Sequence, residues 1–304
     1  MVTAVLRVVF CLALGLAALT AFALSSRWPL YWAVPIGVLA PLLVHALILC
    51  SGFFLADRAQ RQADLAAAVA LPWPRYLLCM WQELLVSWWH FLWVQPWRSQ
   101  AALYGTQRNN DGPAPVLLLH GYFCTQALWR GLSKQLDAQG HAVAALDMVP
   151  ALASIDHYAD AIETAVQALR QRTGAARVAL VCHSMGGLAA RAYLRRYGDA
   201  AIAHVITLAT PHQGTFSGPY GLGENARQMG LHSPWLTALA ASENPALYQK
   251  FTVIFSHQDN VVAPRSMQSL PGARMIGLSG YGHMRLVYAP KVQAIVCAVL
   301  AGRC

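Results

Sequence analysis

The chain has 304 residues, enough for one domain of ordinary size with an appendage, or for two small ones. Only 12% of residues are charged and 57% are hydrophobic, and a mean hydropathy of +0.40 argues against a purely soluble protein. The formal charge of +9 is carried mostly by scattered arginines. Without a nucleic-acid motif or a dense basic stripe, it points away from a nucleic-acid partner and suits anionic lipid headgroups, or solubility alone.

From the N-terminus, residues 8–24 form an unbroken apolar run, and residues 30–55 form a second, interrupted by His45, Ser51 and small side chains. Each is long enough to cross a hydrocarbon core of ~30 Å as a helix. The polar turn Ser25-Ser26-Arg27-Trp28-Pro29, with Trp28 and Tyr31 as interfacial anchors, joins them into a transmembrane helical hairpin over residues 1–57. Arg7 and Ala21-Phe22-Ala23 also fit a signal peptide with its cleavage site, but the second run follows too closely for ordinary secretion. Arg58, Arg61 and Arg75 after the hairpin, against Arg27 in its turn, put both ends of the hairpin on the cytoplasmic side, and the following domain with them unless residues 76–97 span as well.

Residues 58–112 read as a Trp-rich helix and a linker. Between 76 and 97, Leu77, Trp81, Leu84, Trp88 and Leu92 recur at helical spacing, with Glu83, Ser87 and His90 as a narrow polar stripe. Trp73, Trp81, Trp88, Trp89, Trp93 and Trp97 favour a helix lying in the membrane surface; the alternatives are a span or a helix packed on the following domain. Residues 99–115, with Asn109-Asn110-Asp111-Gly112-Pro113, read as a loop.

From 113 to 304, strand and helix patterns alternate. Short apolar runs at 116–120, 142–146, 177–181, 205–208, 251–256 and 275–278 are expected strands. Segments 126–138, 158–172, 187–197 and 292–300 carry helical spacing. Such alternation implies an α/β fold with a mostly parallel sheet covered by helices on both faces. Seven cysteines lack CxxC or Cys/His metal spacing, so neither a metal site nor a disulfide framework is expected. Reduced thiols suit the cytosol, although Cys297 with Cys304 or Cys79 with Cys124 stays open as a bridge.

The strongest chemical signal is Val181-Cys182-His183-Ser184-Met185-Gly186-Gly187, set between a buried strand and a helix. A sharp strand-to-helix turn exposes a nucleophilic hydroxyl, and its neighbours two places away must be small. Gly186 and Gly187 satisfy this on one side; Cys182 stands where the usual pattern has glycine. A serine hydroxyl needs a base, and the base an orienting acid. Asp259 follows the strand at 251–256 and His283 the strand at 275–278, in the chain order Ser, Asp, His expected of this arrangement. Both are at strand C-terminal ends, where an α/β sheet gathers its site. Read alone, Asp259 is a turn former with Asn260, and His283 a loop histidine between glycines.

His257 is too near Asp259 to be the base, and His204, His212 and His232 do not follow the last strand. His183 reads as packing beside the elbow, and Cys182 belongs to the strand rather than the apex. The transition-state oxyanion calls for fixed backbone donors. The amides of Met185, after the nucleophile, and of Tyr122, in Leu119-His120-Gly121-Tyr122-Phe123, are the candidates.

Together, His120-Gly121-Tyr122, the Ser184 elbow, Thr210-Pro211-His212-Gln213-Gly214-Thr215, Asp259-Asn260-Val261-Val262 and Gly282-His283 resemble bacterial triacylglycerol lipases and related esterases, from about residue 115 to the C-terminus. The resemblance implies the α/β-hydrolase fold, ester hydrolysis through an acyl-enzyme, and a Ser184, Asp259 and His283 triad, with no cofactor. Cys182 and the N-terminal hairpin depart from the pattern, the latter arguing against secretion. Residues 214–250, with Tyr220, Leu222, Met229, Leu231, Trp235, Leu236 and Leu239, are either a cap over an acyl chain or an ordinary helical excursion. The expected partners are an ester or lipid substrate and membrane lipid. Acyl transfer or thioester cleavage with the same triad, and a catalytically silent membrane scaffold, are the competing readings.

Overall fold

The computed structural model describes residues 2–62, 70–98 and 112–303. Most of the loop expected at 99–115, and Cys304 with its suggested bridge, lie outside these residues. The six described cysteines are free, Cys79, Cys124 and Cys297 among them.

Two helices form the N-terminal hairpin, α1 (Val2–Ser25) and α2 (Leu30–Gln62). Both are long and apolar enough to cross a membrane. They approach closely through small residues: a Cβ on Gly37 would meet the backbone and side chain of Ala17 and Ala21. The second helix runs past the apolar run into Asp57, Arg58 and Gln60, so the polar residues after position 57 continue the helix rather than open a linker.

Helix α3 (Trp73–Trp88) starts where Pro74 fits the first turn, which lacks amide acceptors. It continues as a π-helical stretch, Trp89–Val94, and a closing turn, α4 (Gln95–Arg98). Trp73, Leu77, Trp81, Leu85, Trp89, Trp93 and Trp97, four residues apart, are all exposed. The wider π turn retards the drift that a four-residue spacing accumulates at 3.6 residues per turn. The opposite face is inverted in polarity: Glu83, Ser87, His90 and Gln95 are buried. The polar stripe meets the following domain, Glu83 at Met284 and Arg285 and His90 at Tyr288, as in the packed-helix alternative.

The C-terminal domain is built on six parallel strands: β1 (Val116–Leu119), β2 (Val143–Leu146), β3 (Val178–His183), β4 (Ile202–Leu208), β5 (Phe251–Ser256) and β6 (Arg274–Leu278). Their spatial order is β2-β1-β3-β4-β5-β6. All six match runs read from sequence, within three residues at either end. Helices α5 (Arg130–Ala138), α6 (Ala159–Thr173), α7 (Met185–Tyr197), α8 (Glu224–Gln228), α9 (Pro234–Ser242), α10 (His283–Tyr288) and α11 (Pro290–Leu300) complete the domain.

Alternate side chains of one strand feed two cores, as the pleat requires. Leu117, Leu119, Leu180 and Cys182 pack with Tyr158, Ile162 and Tyr193 from α6, α7 and the turn before them. Val116, Leu118, Ala179 and Val181 pack with Trp129, Leu132, Val292 and Val296 on the other face. Within residues 214–250, Met229, Leu236 and Leu239 are buried, while Phe216, Tyr220 and Leu222 are exposed. The later part is an ordinary core-facing excursion; the earlier part leaves its apolar groups uncovered.

Candidate active site

The strand order reverses between β1 and β3. In open parallel sheets, ligands gather outside the carboxyl ends of strands at such a reversal. The loops leaving these two strands carry His120-Gly121-Tyr122 and Ser184.

Ser184 is the single residue between β3 and α7, with φ 52° and ψ −124°. A positive φ on a residue with a side chain stores about 1–3 kcal/mol of strain, held by its surroundings. Here the Ser184 amide donates to Leu208 O at 2.8 Å, and Thr210 Oγ1 donates to Ser184 O at 2.9 Å. A Cβ on Gly186 would lie 2.5 Å from Leu119 O, and one on Gly187 would overlap Thr210. Cys182 is fully buried in β3, flanked by Leu119 and Thr207. Its thiol is small enough for the turn, and burial pushes its pKa up, which disfavours the thiolate a nucleophile needs.

Asp259 and His283 meet. His283 Nδ1 is 3.0 Å from Asp259 Oδ2 and 3.2 Å from Oδ1. Asp259 Oδ1 also accepts the amides of Val261 (2.8 Å) and Val262 (2.9 Å), so its turn role and its histidine role coexist. Asn260 Oδ1 accepts the His283 amide at 3.0 Å. With Nδ1–H given to the carboxylate, Nε2 is left as the proton acceptor. Burial lowers the imidazole pKa, but Asp259 and, farther off, Glu83 outweigh it and hold the pKa above the ordinary histidine value.

The Ser184 hydroxyl makes no hydrogen bond among the described residues; such contacts commonly close only in the substrate complex. The elbow and His283 are joined through His183, whose ring centroid is 4.7 Å from that of His283 and whose Nε2 lies 3.3 Å from His283 O. Buried beside His283, His183 has its pKa pushed well down, leaving a neutral spacer.

The loop after β1 passes directly over the elbow: a Cβ on Gly121 would come 2.9 Å from Ser184 Cβ. Met185 opens α7, so its amide has no intrahelical acceptor. The Tyr122 amide follows Gly121, while the Tyr122 hydroxyl donates to Leu222 O (2.8 Å) and accepts from Leu222 N (2.9 Å), fixing the start of the 214–250 excursion. His120 Nδ1 bonds Gly121 O at 2.9 Å, and its Nε2 accepts the Met148 amide at 3.0 Å, so His120 braces this loop. His204 bonds Thr252 and His212 bonds Thr207, and His232 is exposed; none of them bonds Asp259.

Sequence reading missed the residues that hold these loops from outside the domain. Asp57 of α2 pairs with Arg265 at 2.7 Å, Gln60 Oε1 accepts the Arg265 amide at 2.8 Å, and Arg265 Nε donates to Asp259 O at 2.9 Å. Gln95 Nε2 donates to Phe123 O at 2.7 Å, and Glu83 accepts the amides of Met284 and Arg285. The one available signal was polar side chains inside otherwise apolar helices. Among the described residues, no cluster of His, Cys, Asp or Glu is arranged to hold a metal.

Residues 114–245 match the family model described as alpha/beta hydrolase fold. Among solved structures, the chain is similar to a Bacillus licheniformis lipase in its mature form, with 14% identity, a TM-score of 0.58, and coverage of 66% of this chain and 97% of that one. It is also similar to lipase B of Aspergillus fumigatus, with 18% identity, a TM-score of 0.53, and coverage of 63% of this chain and 53% of that one. At such identities the likeness is one of fold. By its parallel sheet and by the family model that residues 114–245 match, the chain has the α/β-hydrolase fold.

Proposed function

We propose that this α/β hydrolase is a membrane-anchored carboxylic ester hydrolase, of lipase or esterase type, working through an acyl-enzyme on Ser184. The observation that carries the reading is the His283–Asp259 hydrogen bond at 3.0 Å, formed against an elbow whose apex is a serine at positive φ. In this mechanism His283 Nε2 takes the hydroxyl proton as Ser184 Oγ attacks the ester carbonyl. The Met185 and Tyr122 amides receive the oxyanion, and the proton passes to the departing alcohol; water then repeats the sequence on the acyl-enzyme. No cofactor enters these steps.

Membrane anchoring is supported by the exposure of the N-terminal helices, as at Leu12 (67%), Phe22 (79%) and Leu47 (70%). Each such side chain left in water forgoes about 1.5–3 kcal/mol. The exposed Trp and Leu stripe of α3 and α4 extends this surface along an interface. Arg58, Arg61 and Arg75 after the apolar run, against Arg27 in the hairpin turn, favour a cytoplasmic catalytic domain. A lipid ester as substrate is supported by the uncovered Phe216, Tyr220, Leu222 and Val261. Val261 is two residues from Asp259, and Leu222 is tied to Tyr122.

The test is turnover of a p-nitrophenyl ester series by the full chain in lipid and in detergent. The expected result is hydrolysis lost in Ser184→Ala, with a fluorophosphonate adduct at Ser184 in the parent protein only. Undiminished hydrolysis by Ser184→Ala would overturn the proposal.

A further inference from the structure

Glu83 is a buried carboxylate on the Trp-rich helix, 1% exposed, and the ester-hydrolysis mechanism leaves it without a task. Its Oε1 accepts the Met284 amide at 2.9 Å and its Oε2 the Arg285 amide at 2.7 Å. These amides follow His283 directly, at the first turn of α10, where no intrahelical acceptor exists. The contact is tight, because a Cβ on Gly282 would lie 2.5 Å from the Glu83 carboxyl. Both carboxylate oxygens are therefore used on the residues that flank the proposed base.

We propose that Glu83 is a positioning residue for His283: the Trp-rich helix fixes the backbone that carries the active-site histidine with a second carboxylate, besides the one on Asp259. The inference rests on the reading of His283 as the base. Neighbouring contacts from the same helix run the same way, since His90 Nδ1 bonds Tyr288 Oη of α10 at 2.7 Å and His90 Nε2 bonds Gln95 at 2.6 Å.

The charges of the cluster sit on a few groups. Burial pushes the Cys79 thiol up to about 12 and His90 down to about 4, and it lowers His183 and His120. All four are uncharged near neutral pH, leaving His283, Asp259 and Glu83, with the Arg265 guanidinium, itself paired with Asp57, behind the Asp259 carbonyl and unchanged in the variants below. Burial pushes the Glu83 carboxyl up to about 7, against the pull of the two amides and of His283. A carboxylate at this position favours the imidazolium. Removing its charge lowers the pKa of His283, and because turnover needs neutral imidazole, the acidic limb of the rate profile moves to lower pH.

The experiment measures kcat, KM and the pH profile of p-nitrophenyl ester hydrolysis by the full chain in detergent micelles, per site labelled by fluorophosphonate. Ser184→Ala tests the site reading on its own: if it keeps activity, that reading fails and Glu83 has no base to position. Given an inactive Ser184→Ala, Glu83→Gln keeps the shape but loses the charge and one acceptor, while Gly282→Ala drives the carboxylate off the amides from the other side. Both are expected to lower kcat by about 10- to 100-fold with KM within about twofold. Glu83→Gln alone shifts the acidic limb downward, and Glu83→Asp restores the limb but not the full rate. Parental kcat per labelled site in both variants, or an unmoved limb in Glu83→Gln, would overturn the proposal, as would a loss confined to the fraction of protein that labels.

Discussion

At the residue scale, Asp259 does two tasks with one carboxylate. It ends the loop after β5 by accepting two amides, and it holds the Nδ1–H of His283. An Asp259→Asn substitution keeps the volume but offers an amide donor where a donor already points. The imidazole then turns over or takes the other tautomer, and kcat is expected to fall by about 10⁴-fold with little change in melting temperature. Steady-state kinetics with a soluble ester check this. The sign of the pH dependence follows from the raised pKa of His283. The neutral imidazole predominates only above that pKa, so the acidic limb of kcat/KM should lie above the value of an ordinary histidine; a limb below it would contradict the ion-pair account. Cys182 makes a different case. It fills a core position in β3 that glycine would leave empty, so Cys182→Gly should preserve turnover and cost about 1–3 kcal/mol of stability, read by thermal melting.

At the element scale, α7 and the 214–250 excursion are locked by a buried ion pair. Arg191 Nε and Nη2 reach Glu243 Oε1 at 2.9 Å and Oε2 at 2.5 Å, Tyr248 Oη donates to the same carboxylate at 2.7 Å, and Arg191 is 2% exposed. Glu243→Ala strands a buried guanidinium, and a loss of about 3–5 kcal/mol in unfolding free energy is expected. Little of this was legible in the sequence. The inner strands were, because parallel strands buried on both faces are short apolar runs; the largely exposed edge strand β6 was read from its short apolar run alone. The elbow was legible too, because its glycines answer a local steric demand. The role of the helix at 73–98 was not: its polar stripe was visible, but the partners of Glu83 are backbone amides some 200 positions away, and an amide leaves no mark on residue type. The Thr210 to Thr215 segment was read as part of a resemblance. Its physical task is bracing, with Thr210 on the Ser184 carbonyl and Thr215 Oγ1 on Val261 O at 2.8 Å.

At the scale of the whole molecule, three loops of the proposed site, those after β1, β5 and β6, have supports that originate before residue 99. Gln95 holds the Phe123 carbonyl beside the proposed oxyanion donors, Glu83 backs the His283 turn, and α2 grips the Asp259 loop through Asp57, Gln60 and Gly52. A Cβ on Gly52 would lie 2.9 Å from Asn260 O, so Gly52→Val should displace that loop and depress turnover while leaving the protein in the membrane fraction after alkaline washing. The 33 residues of α2 amount to about 50 Å of helix, well beyond a hydrocarbon core of ~30 Å. The surplus is the stretch that grips Asn260 and Arg265. A rod longer than its host slab answers changes in slab thickness by leaning, and a lean at one end is leverage at the other. Reconstituted into bilayers of graded acyl length, at fixed substrate, the protein should turn over fastest at one thickness and slow on either side of it; a flat response would make the hairpin a passive tether.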